Sequence, residues 1–174
     1  MCAMVLALVM ATGAACGSES ANHQLVVPNS VPLELVPPTL EDGLTVTEYQ
    51  PGRNAFAQAG PESLVADGRV WAIRRGETLV GTLQISAVKH DVSVQDPKDR
   101  KAILQGVMTG TPYETIDVGD LKVAASTSAD KNVYLWFGPN LFEVLQVKAS
   151  KVDPDALAAD VISFQQSTGK LTSS

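Results

Sequence analysis

Cys16, the His90-Asp91 pair and the carboxylates Asp117, Asp120, Asp153 and Asp155 are the side chains whose type and spacing could do chemistry in this 174-residue chain. Both cysteines, Cys2 and Cys16, fall in the first sixteen residues, so the body of the chain has no thiol for a disulfide or a thiolate metal site. The two histidines, His23 and His90, lie far apart, and neither offers a second imidazole at ligand spacing for zinc. His90 follows the end of an alternating segment and reads as a loop histidine. Asp153 and Asp155 bracket Pro154, where helix capping accounts for both carboxylates. Asp117 and Asp120 flank a turn, where carboxylates take local backbone hydrogen bonds. Gly60, Gly68, Gly76 and Gly81 are spread through turns and strands, so no phosphate-cradling loop forms, and no GxSxG motif is present. No catalytic residue, metal or cofactor is therefore expected, and the chain reads as a non-enzyme.

The N-terminus has the clearest pattern. Met1 to Ser18 carries no charge, and Ala3 to Ala11 (AMVLALVMA) has the length of a signal-peptide apolar region and is too short to cross a bilayer core. Gly13-Ala14-Ala15-Cys16 resembles the lipobox of bacterial lipoprotein signal peptides. Gly13 stands where leucine is usual in that family, and no Lys or Arg precedes the apolar run. The resemblance implies cleavage before Cys16, lipidation of its thiol and a position on the extracytoplasmic side of the cell membrane. GSESANHQ, which follows, suits a tether.

Of all residues, 45% are hydrophobic and 18% charged, which fits one globular domain. A net charge of −6 argues against nucleic acid as a partner, since such binding rests on Lys and Arg neutralising phosphates. The division expected is a signal peptide over 1–15, a lipidated cysteine with a polar tether and Pro-rich extended segment over 16–40, a single domain over 41–168 and a polar tail over 169–174.

Within the domain, LTVTEY (44–49), RVWAIRR (69–75), TLVGTLQISAVK (78–89), YETIDV (113–118), LKVAAST (121–127), NVYLWF (132–137) and LFEVLQVKA (141–149) alternate and read as strands. Asp96-Pro97 and Asp153-Pro154 announce helices, the first with an Ile103, Leu104, Val107, Met108 stripe and the second with Leu157, Val161, Ile162 and Phe164 facing inward. The fold expected is α+β: an antiparallel sheet of about six to seven strands with both helices packed on one face. GETLVGTLQISAVKHD (76–91) and GPNLFEVLQVKASKVD (138–153) align without a gap, which suggests duplication of a hairpin–helix unit. Trp136, Phe137 and Phe142 form a candidate binding surface, because the second hairpin has large apolar residues on both faces. The competing expectation is that the segment bearing Leu33, Leu35, Val36 and Leu40 covers that face. The function expected is a lipid-anchored, non-catalytic binding domain for an envelope protein or component; the alternative is a carrier of a small apolar ligand between sheet and helices, and an envelope hydrolase ranks below both.

Overall fold

The computed structural model describes residues 30–49, 64–148 and 150–171. An eight-stranded antiparallel sheet is built from β1 (Thr39–Leu40), β2 (Leu44–Glu48), β3 (Val65–Arg75), β4 (Thr78–Val88), β5 (Glu114–Val118), β6 (Leu121–Thr127), β7 (Asn132–Gly138) and β8 (Leu141–Val147). The order across it is β1-β2-β3-β4-β8-β7-β6-β5, so β4 and β8 are the central pair. Helix α1 (Pro97–Val107) follows β4, and helix α2 (Pro154–Ser167) follows β8. The α+β class, the antiparallel sheet and both helices are as expected. The strand that composition concealed is β1, two residues just past Pro37-Pro38, where proline leaves room for only a short edge pairing.

Both helices start as Asp-Pro dictates. The Asp96 carboxylate accepts from the Lys98 amide at 2.7 Å, and the Asp153 carboxylate accepts from the amides of Asp155 and Ala156 at 3.0 and 3.2 Å. Each proline occupies a first-turn position whose N–H would have no partner within the helix.

The helices do not share a face. Adjacent residues of β7 point to opposite sides of the sheet: Tyr134 and Trp136 pack with Leu157, Ala158, Val161 and Ile162 of α2, whereas Leu135 and Phe137 pack with Ile103 and Met108 at α1. The connector after β4 explains the difference from expectation. It buries Val92 and Val94 in the α1-side core, so the chain has already passed to that face before Asp96 caps the helix. On the other side the sheet curls round α2, since its two edge strands, β1 and β5, both contact that helix.

The hairpin similarity has a counterpart in the register. Leu83 pairs with Leu145, its own equivalent in the gap-free alignment, which places a local dyad between β4 and β8. A dyad normal to the sheet would keep both helices on one side, so the helices break the relation that the hairpins obey. The β3–β4 pairing also has an irregularity between Ile73 and Arg74. Gly81 is required at the centre: a Cβ there would lie 2.6 Å from the Gln146 carbonyl oxygen across the β4–β8 pair.

The domain is wider than 41–168. Val31, Leu35 and Leu40 are buried in the α2-side core, and so is Leu171. The Pro-rich stretch is thus a strap over residues 31–40, seated on the concave side of the sheet, while α1 covers part of the other face. Its prolines exclude regular structure but leave alternate apolar side chains free to pack.

Candidate functional site

The apolar surface expected at Trp136, Phe137 and Phe142 is absent from the surface. Their exposures are 0%, 5% and 0%, with Trp136 under α2 and the two phenylalanines under α1. The strap does not cover Phe142; α1 does. Arg100 of α1 also lies 4.5 Å over the Phe137 ring, closing that side with a cation–π contact. The exposed large hydrophobics among the described residues are Leu33, Tyr49 and Tyr113, on separate segments.

The other sequence candidates fall apart spatially. His90 sits exposed in the turn after β4. Asp117 makes an exposed ion pair with Lys122 across the β5–β6 hairpin. Asp153 caps α2, as read from the sequence, but Asp155 does something else: its carboxylate accepts from the Tyr134 hydroxyl at 2.5 Å, tying the start of α2 to β7. Burial, with Asp155 next, raises the Tyr134 phenol above its ordinary range. Cys16 lies outside the described residues. No group of three His, Cys, Asp or Glu among the described residues could hold a metal ion.

The notable polar site is one that motif reading did not find. Glu143 of β8 is fully buried on the concave face, between Leu141 and Leu145 on the same side of the strand. Directly across from it lie Ile85 of β4 and Trp136 of β7. Gln165, also fully buried, comes down from α2 and donates its Nε2 to Glu143 Oε2 at 2.5 Å and to the Leu35 carbonyl at 3.0 Å. The Trp136 indole N–H donates to Gln165 Oε1 at 3.2 Å.

These partners fix the amide. An indole N–H can only donate and a backbone carbonyl can only accept, so Gln165 must turn its oxygen to Trp136 and its nitrogen to Leu35. Glu143 Oε2 therefore accepts. The other carboxyl oxygen, Oε1, has no hydrogen-bond partner among the described residues. Burial pushes Glu143 up to about 8, against the opposing pull of the Gln165 and Trp136 donors. With Oε2 accepting, the proton of the neutral acid sits on the unpartnered Oε1. Leaving a buried polar group unpaired costs about 1–3 kcal/mol, less than burying an unpaired carboxylate.

Glu143 had one sequence signal: a lone carboxylate at an inward position of LFEVLQV. The inward stripe read for α2 did not include its partner, Gln165. Phe164 is only half-buried, and Gln165, four residues beyond Val161, takes the inward place that the stripe gave to phenylalanine.

The chain matches no protein-family model, no curated protein and no solved structure.

Proposed function

We propose that the chain is a lipid-anchored extracytoplasmic lipoprotein, held to the cell membrane by lipid on Cys16, whose α+β domain is a non-catalytic module that binds an envelope protein or component. The observation that carries this reading is the order of features at the N-terminus: an uncharged apolar run, Gly13-Ala14-Ala15-Cys16, then the polar stretch GSESANHQ, ahead of a domain whose core includes Val31. One lipid chain gives only marginal attachment, and a diacylglyceryl group supplies two, each methylene adding about 0.8 kcal/mol.

Two further observations support binding over carriage of an apolar ligand. The space between α2 and the sheet is filled: Leu83, Ile85, Trp136, Leu145, Val161 and Ile162 are each 1% exposed or less. The polar group at its centre, Glu143, is sealed from solvent, where it cannot meet a substrate. Fractionation of cells expressing the full chain tests the anchor. Wild-type protein should stay with membranes in high salt and leave in detergent, and Cys16→Ser should become soluble. Retention of Cys16→Ser in the membrane, with no lipid on the wild-type thiol, would overturn the reading.

A further inference from the structure

The strap is the least firmly held part of the concave core. It contributes one short 3-10 turn, Leu33–Leu35, and the two-residue β1, and a second turn, Glu41–Gly43, leads from it into β2. Beside the β1–β2 pairing and the Val46 amide's bond to the Pro38 carbonyl, polar ties between strap and body among the described residues are few. The Val31 amide donates to Asp67 at 3.2 Å, the Glu41 amide donates to Asp160 at 2.7 Å, and Glu34 pairs with Lys170 at 3.7 Å. The last two are exposed, and exposed ion pairs contribute at most about 1 kcal/mol. The fully buried tie is the one from Gln165 Nε2 to the Leu35 carbonyl, and the same nitrogen is bound to Glu143.

We propose that Glu143, Gln165 and the Leu35 carbonyl form a proton-dependent latch, which holds the strap on the concave face while Glu143 is protonated and releases it when Glu143 ionises. The physical reason is hydration. A carboxylate with one oxygen unpartnered, walled in by Ile85, Trp136 and α2, needs water, and no compensating cation lies beside it among the described residues. β4 and β8 have no other ionisable side chain, and on β7 Tyr134 is engaged by Asp155. On α2, Asp155 and Asp160 are taken by Tyr134 and the Glu41 amide, and on the strap Glu34 points to Lys170 at the surface. Below Glu143 the sheet is continuous, with β4, β8 and β7 fully paired. The strap, whose backbone bonds to the sheet among the described residues are those of β1 with β2 and of the Val46 amide with the Pro38 carbonyl, opens at lower cost than a fully paired strand. Release would bare the Trp136 side of the core, so the latch goes beyond the anchoring function and does not depend on it.

Hydrogen–deuterium exchange of the full chain in detergent, from pH 6 to pH 9 and corrected for intrinsic exchange, tests the latch. Protection of peptides covering residues 31–40 should fall by as much as tenfold per pH unit from pH 6 toward pH 8 and level off above it, and should lie below that of β4, β8 and α1 at every pH. Glu143→Gln should abolish that fall, and Glu143→Leu should do the same if the glutamine variant folds poorly. The proposal is overturned if Glu143→Gln or Glu143→Leu keeps the wild-type profile, or if the strap exchanges only at the free energy at which sheet and helices exchange, which would mark global unfolding. The wild-type profile alone separates local from global opening.

Discussion

Replacing Glu143 by glutamine keeps the shape of the side chain and removes the proton. The folded acid holds its proton up to about pH 8, whereas the ordinary value is 4.5. Between those values the folded state binds more protons than the unfolded one, so stability is greatest below pH 4.5 and is lost as pH rises toward 8. At about 1.4 kcal/mol per unit, the wild type should lose roughly 3–4 kcal/mol between pH 5 and pH 8 through this one group. Other carboxylates also titrate, so the informative quantity is the difference between wild type and Glu143→Gln in urea unfolding at each pH. That difference should move in favour of the variant by roughly 3–4 kcal/mol from pH 5 to pH 8. A difference constant to within about 0.5 kcal/mol would refute the argument that burial outweighs the Gln165 and Trp136 donors at this carboxyl.

Phe142→Asp should fail to fold, because it puts a carboxylate at a fully buried position under α1; a folded variant by circular dichroism would contradict the packing described. Gly81→Ala should cost about 1–3 kcal/mol in urea unfolding, since its Cβ meets the Gln146 carbonyl and backbone cannot yield there; an unchanged midpoint would mean that β4 and β8 are further apart. His90→Ala should change stability by no more than about 0.5 kcal/mol and leave partner binding intact, and loss of binding with an unchanged fold would make the turn after β4 part of the site.

The strands were legible because period-two alternation is a local property, and so were the helix starts, which Asp-Pro sets by capping. The faces of the helices were not. In VYLWF and LFEVL neighbouring residues are, Glu143 apart, apolar on both sides, so the pattern identifies two buried faces without saying which helix covers each. The same ambiguity made Trp136, Phe137 and Phe142 resemble a surface patch. The strap was read as an extended segment outside the domain because prolines at 32, 37 and 38 exclude an α-helix, and burial of Val31, Leu35 and Leu40 depends on partners far along the chain. Gln165 illustrates the same limit: its value lies in meeting Trp136, Glu143 and Leu35 at once, a meeting that no local pattern encodes.

Mass spectrometry of the mature N-terminus tests the central proposal most directly. The full-length gene product, purified from membranes in detergent, should begin at Cys16 and carry a diacylglyceryl mass on that residue. An N-terminus at any other residue, or an unmodified Cys16 thiol, would contradict it.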